Sequence, residues 1–154
     1  SNMLSRVRTI ADLQFGRGTG IHLFPDSCRF ITSRRGGVRQ VLLDGKRLAT
    51  LRAHDGRLTL GLAGGKRLHE VLCGKAGRVE VREDVTSFIA AGKNLFCRHV
   101  VQADPDIHAG DEVLVVDQDD RFLAIGEAVV SGTEMIACET GMAVSVRHGI
   151  KKEE

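Results

Sequence analysis

The residues in this chain best equipped for covalent chemistry are Cys97 and His99, two positions apart. On a strand that spacing would put both side chains on one face. A thiol nucleophile needs its histidine within hydrogen-bond reach and a third group to orient the ring. No third group or oxyanion-stabilising motif accompanies the pair, so the expectation is a protein that is not an enzyme in its own right. The other cysteines, Cys28, Cys73 and Cys138, form no C-x-x-C pair, and His22, His54, His69, His108 and His148 show no metal-ligand spacing. Neither a metal nor a cofactor is expected. The glycine-rich run Gly16-Arg17-Gly18-Thr19-Gly20 invites a phosphate-binding reading. A dinucleotide loop follows a strand, however, and this run follows a predicted helix. What remains open is a nest of amides around Arg17 that could hold a phosphate.

Ion chemistry is written more plainly. Residues 1 to 82 hold 16 Lys+Arg against 6 Asp+Glu, whereas residues 83 to 154 hold 6 against 14, giving +10 and −8 within a net +2. Such asymmetry speaks to partners rather than to fold. The basic half suits a nucleic-acid backbone, and Arg34, Arg35, Arg39, Lys46, Arg47 and Arg52 are its candidate phosphate contacts. The two halves could equally attract each other. Six Phe and no Trp or Tyr leave few platforms for stacking bases. No run of about 18 apolar residues offers a membrane span, so no membrane partner and a cytoplasmic location are expected. Ser1-Asn2 ahead of Met3 reads as a cloning remnant.

These residues need elements to position them. A helix over 6 to 14 is predicted, capped by Ser5 and stopped by Gly16. Asp44-Gly45 and His54-Asp55-Gly56 separate the apolar runs 38–43, 46–52 and 57–61, which predicts an antiparallel three-stranded meander. A second helix covers about 64 to 73 and a brief strand 79 to 81. The domain boundary is placed near residue 82, where the charge balance changes. Beyond it, Thr86 or Ser87 caps a short helix stopped by Gly92. Strands follow at 112–117, 122–130 and 142–147. Short strands at this spacing suit a mixed β-barrel with one or two short helices. The expected fold class is α+β: a small basic domain over 3–82, a barrel over 83–150, and a charged tail at 151–154.

Several blocks then resemble the PUA family, an RNA-binding module: Gly92-Lys93, Ile107 with Gly110-Asp111-Glu112-Val113, Ala124-Ile125-Gly126, and Gly141-Met142-Ala143-Val144. Upstream, Ala11-Asp12-Leu13-Gln14-Phe15-Gly16, Leu23-Phe24-Pro25, Ser33 to Val41 and Asp44 to Arg52 resemble the pre-PUA domain of archaeal tRNA-guanine transglycosylases. The resemblance implies archaeal kinship and the C-terminal, RNA-handling region of such an enzyme. That family's catalytic (β/α)₈ barrel typically needs about 250 residues, and the cysteine spacing here does not match its zinc site.

The resemblance also implies where RNA would lie. It assigns Gly92, Lys93 and Asn94 to one side and Arg147 and His148 to the other, with Phe96 either stacking on a terminal base or serving the core. The implied partner is tRNA, held at its acceptor stem and 3′ end, with no DNA specificity. A catalytic tRNA-modification subunit is a second possible partner. A first prediction concerns the basic loop: Arg34→Ala with Arg35→Ala weakens RNA binding and makes its salt dependence shallower by about one log unit per lost phosphate contact. An unchanged slope in a gel-shift salt series would remove this loop from the interface.

Overall fold

The first fifteen residues carry neither glycine nor proline, so nothing in them interrupts a helix. In the computed structural model, which describes residues 2 to 152, helix α1 runs Asn2–Phe15. Ser1 of the suspected remnant and Glu153-Glu154 of the tail lie outside the described residues. Ser5 is therefore not the cap; it sits inside the helix, where its carbonyl accepts the Thr9 hydroxyl at 3.0 Å. Val7 and Ala11, one turn apart, are the buried pair, and Ile10 is half-buried. Gly16 ends the helix at φ 123°.

Helix α2 (Thr19–Leu23) follows at once. The amide of Gly20 donates to the Asp12 carboxylate at 2.7 Å. A protein carboxylate thus occupies that amide, which corrects the phosphate-nest reading around Arg17. Gly20 is also needed sterically, since a Cβ there would overlap the Arg8 carbonyl.

The expected meander is present and gains a strand. β1 (Arg29–Thr32), β2 (Val38–Leu43), β3 (Lys46–Leu51) and β4 (Leu58–Leu60) form an antiparallel sheet in sequence order. Asp44 and Gly45 both take positive φ, 52° and 77°, as a two-residue hairpin of this hand requires. β1 escapes sequence reading because all but one of its residues are exposed and no apolar alternation marks it. Edge strand β4 is met by Gln14 of α1. Its side-chain amide donates to the Leu58 carbonyl and accepts from the Leu58 amide, both at 2.8 Å. Helix α3 (Leu62–Val71) packs on β3 through Gly64, where a Cβ would overlap the Leu48 carbonyl oxygen.

The chain divides into two compact units, one ending at Val71 and the next beginning at Leu72. The change of charge balance near residue 82 falls inside the second unit, because β5 (Arg78–Val81) is an interior strand of its sheet. With β6 (Leu95–Phe96), β7 (Val100–Ala103), β8 (Glu112–Val116), β9 (Phe122–Ala128) and β10 (Met142–Gly149), the order is β6-β10-β9-β8-β5-β7. Among the described residues, only β5 and β8 pair in parallel. The six strands form a nearly closed mixed barrel. Its core is filled by alternate residues such as Val79 and Val81 or Val113 and Val115, and by the consecutive pair Ala143 and Val144 where the β6–β10 register shifts.

Two helices serve this barrel. α4 (Thr86–Ala90) buries Ile89 and Ala90. α5 (Gly132–Ala137) has a capping box: the Ser131 hydroxyl accepts the Glu134 amide, and the Glu134 carboxylate accepts the Ser131 amide. No helix was expected over 132–137, although Ser131-x-x-Glu134 has the pattern of a capping box. The fold class is α+β, as expected.

Gly64 tests how closely α3 approaches the sheet. Alanine is the better helix former by about 1 kcal/mol, but overlap with backbone costs roughly 3 kcal/mol. Gly64→Ala is therefore expected to lower the urea midpoint. A raised midpoint would mean that α3 can stand off from β3 without loss.

Candidate nucleic-acid interface

In the second unit the site is built around the end of α4. Gly92, at φ 97°, is the left-handed residue that closes the helix. Its amide donates to the Ile89 carbonyl at 2.9 Å, and the Lys93 amide donates to Phe88 at 3.0 Å, the paired bonds of a Schellman turn. One more carbonyl of this turn, that of Ala90, accepts the Lys151 amide at 2.9 Å. Gly149 makes that approach possible: a Cβ there would overlap the Ala90 carbonyl oxygen and lie 2.7 Å from the Gly92 nitrogen.

This geometry brings the lysines of two segments together. Lys93 is exposed directly after Gly92, and Lys151 and Lys152 are exposed where the chain leaves β10. The Lys152 stem passes 3.2 Å from the position a Gly92 Cβ would take. Lys151 and Lys152 were not singled out from sequence, where they read only as part of a charged tail. Cations at a helix C-terminus are favoured by its exposed carbonyls, and here they also form a basic patch.

Asn94 has a structural duty. Its side-chain oxygen accepts the Val146 amide at 2.9 Å, extending the β6–β10 ladder by one side-chain bond. Its NH₂ is left to meet a sugar or base edge while the oxygen serves the ladder. Phe96 is 40% exposed, with the Arg98 guanidinium 5.8 Å from its ring centre, so it is not a core residue. Phe88 on α4 is a further exposed aromatic, at 58%. Sequence reading placed it in the helix without seeing which way it faces.

Arg147 sits at a β-bulge. Val146 pairs with Gly126 and His148 with Ile125, which leaves Arg147 as the extra residue. The bulge re-aims its side chain, and the guanidinium bonds Glu112 at the start of β8. Glu112 is nearly fully buried, with its side chain 3% exposed. Arg147 is thus already committed to a carboxylate. His148 is half-buried beside it.

In the first unit the candidate cations fall into two groups. Arg34 and Arg35 are exposed at the tip of the turn joining β1 and β2, which Ser33 and Gly37 close with a 2.8 Å bond. Lys46 and Arg47 begin β3 at the other end of β2. Six residues of strand between them span roughly 20 Å, so the two groups cannot meet one phosphate. Arg39 lies at a second bulge, between the pairs Ile31–Gln40 and Thr32–Val38, and is exposed. Arg47 donates to the Thr50 hydroxyl at 3.2 Å. Arg52 is removed from the phosphate candidates: it makes a two-pronged pair with Asp55, at 3.1 and 2.7 Å. The Arg57 amide first, and then Arg52, hold the Asp55 carboxyl below the usual range.

The Cys97–His99 pair loses its premise. Residues Cys97–His99 form a 3₁₀ turn rather than a strand, so the i, i+2 side chains do not share a face. Cys97 is buried, and burial pushes its thiol up, away from thiolate. Among the described residues no group of three His, Cys, Asp or Glu could hold a metal ion, and no helix is long and apolar enough to cross a membrane.

Comparison with known proteins identifies the family of both units. Residues 5–75 match the patch-forming domain C2 of tRNA-guanine transglycosylase, and residues 77–150 match the PUA domain. The tRNA-guanine(15) transglycosylase of Thermococcus kodakarensis is 46% identical over 146 residues, covering 95% of this chain and 25% of the relative. That of Pyrococcus abyssi is 47% identical over 149 residues, with 97% and 25% covered. The chain spans about a quarter of the length of the curated relatives it matches. A hypothetical protein from Pyrococcus horikoshii shares the fold at TM-score 0.75 and 22% identity, over 99% of this chain and 92% of that one. A PUA domain from Aeropyrum pernix does so at TM-score 0.68 and 19% identity, over 96% and 82%.

Arg147→Ala would leave Glu112 buried without its guanidinium, at a cost of about 3 kcal/mol. Adding Glu112→Gln to that variant is expected to recover much of the loss in a denaturation series. Strictly additive losses would show that the two residues do not depend on each other.

Proposed function

The chain is a PUA-domain protein resembling the C-terminal region of archaeal tRNA-guanine transglycosylases, and on that premise we propose that it binds structured RNA, specifically tRNA, in connection with tRNA modification. The observation that supports this most directly is the lysine patch around the α4 turn, where Lys93, Lys151 and Lys152 are held by backbone contacts and, among the described residues, pair with no carboxylate. Exposed ammonium groups on a rigid turn neutralise phosphates without first losing an ion pair. Phe96, half-open beside Arg98, offers a face for an unpaired base near the 3′ end. Recognition would rest on backbone and shape, since side chains cannot read the narrow major groove of A-form RNA.

The role is positioning rather than catalysis. The tRNA is held at its acceptor end while a catalytic region, in the same or another polypeptide, modifies a distant nucleotide. Matching only a quarter of each relative favours that division of labour. In the first unit, Arg34, Arg35 and Arg39 add contacts at one end of β2, and Lys46 and Arg47 at the other. His148 and the Asn94 NH₂ complete the barrel surface. The arginine of the bulge serves the fold first and the RNA second.

The test is a gel shift with bulk tRNA and a DNA duplex control at two salt concentrations. Salt-sensitive binding that prefers tRNA is expected. Lys93→Ala with Lys151→Ala should weaken it several-fold, more for tRNA with an intact 3′ end than for tRNA lacking it. Equal losses on both substrates would argue against end recognition, and binding to neither nucleic acid at low salt would overturn the reading for the chain on its own.

A further inference from the structure

Away from β10, the second unit holds a cavity of about 310 Å³ between the turn before β5, the outer face of β5, the end of β7 and the turn after β8. Its size is that of a small-ligand site. Alternation along β5 turns Val79 and Val81 into the core, and so turns Arg78 and Glu80 outward. Glu80 is flanked in register by Gln102 on β7 and Val116 on β8. Charged residues in the lining are Lys75 and Arg78 against Glu80, Asp104, Asp117 and Asp120, two positive and four negative, a balance of −2.

All of these charges but one are tied into the wall. Arg78, 7% exposed, donates to Asp120 at 2.7 Å and to the Ala76 carbonyl at 3.0 Å. Lys75 bonds the Gln102 side chain. Asp104 accepts the amides of Gly77 and Asp106 at 2.7 and 2.9 Å. Asp117 accepts those of Asp119 and Arg121 at 2.8 and 2.9 Å. Glu80 is different: among the described residues, no hydrogen bond or ion pair engages its carboxylate. A half-buried carboxylate without a partner, in a cavity with excess negative charge, is the complement of an organic cation.

We infer that this cavity receives the guanidinium of an arginine side chain presented by a basic segment of a partner polypeptide. A carboxylate takes a guanidinium in a two-pronged pair that an ammonium cannot match. Val116 and Ala103 in the lining give the aliphatic stem an apolar wall. RNA is not the occupant, because the negative balance repels phosphate. The site is therefore independent of the RNA-binding reading and stands or falls separately.

The test is ¹H–¹⁵N NMR of the whole chain titrated with three probes: N-acetyl-arginine amide, N-acetyl-lysine amide, and a lysine-rich hexapeptide with one central arginine. Shifts at the amides of Glu80, Gln102 and Gln118 are expected with the arginine probes. The hexapeptide should bind at least tenfold tighter than the arginine amide, and the lysine amide more weakly still. Glu80→Gln should weaken hexapeptide binding at least tenfold and leave tRNA affinity unchanged. Arginine amide binding as tightly as the hexapeptide would overturn the polypeptide source in favour of a free small molecule. No shift at those three amides in the unaltered chain, or equal affinity in Glu80→Gln, would overturn the site itself.

Discussion

The second unit depends on how closely the end of β10 can approach the end of α4. Gly149 has no side chain to keep them apart, and the Lys151 amide then reaches the Ala90 carbonyl. Gly92 turns the chain away at positive φ, so that Lys93 and Asn94 leave in the direction of β10 rather than along the helix axis. Helix ends leave carbonyls unsatisfied, and this one is completed by its own turn and by the strand that passes it. The lysine patch, the placement of Asn94 on Val146 and the seat of β6 beside β10 all follow from that contact. The first unit has its own version: Gly20 and Gly64 let α2 and α3 lie against the backbones of α1 and β3.

What the sequence disclosed was governed by local rules. Asp44-Gly45 announced a hairpin because few residue pairs accept positive φ twice. Gly92 announced a helix end for a similar reason. The Val-rich runs at 112–117 and 142–147 announced strands because short β-branched runs bounded by turn residues suit a pleated sheet. What it withheld depended on partners distant in the chain. β1 is a strand because β2 pairs with it, and its own four residues carry little pattern. Arg147 looks like any exposed arginine until Glu112, 35 positions away, is seen beneath it. Asn94 and Gln14 likewise looked like surface amides, and both complete strand ladders.

The same distinction explains the candidate site. Gly92 and Lys93 could be named because the resemblance to the PUA family carries over onto a contiguous block of sequence. Lys151 and Lys152 could not, since only the tertiary approach of β10 brings them to that turn. Charge counting along the chain pointed to the basic first half as a whole. It could not show that Arg52 is engaged by Asp55, nor that Arg34 and Lys46 stand at opposite ends of one strand. Formal charge overstates the number of cations ready for a phosphate wherever the fold pairs them internally.

The bulge at Arg147 also sets the phase of the final strand. Side chains along a strand alternate between faces, so one surplus residue reverses the alternation beyond it. Without the bulge the ladder would run on unbroken, Arg147 opposite Ile125 and His148 opposite Ala124, and a residue with a side chain would arrive where Gly149 now meets the helix. The irregularity is what lets one strand satisfy two clients: a core that wants Ala143 and Val144 inward, and a helix end that tolerates nothing larger than hydrogen.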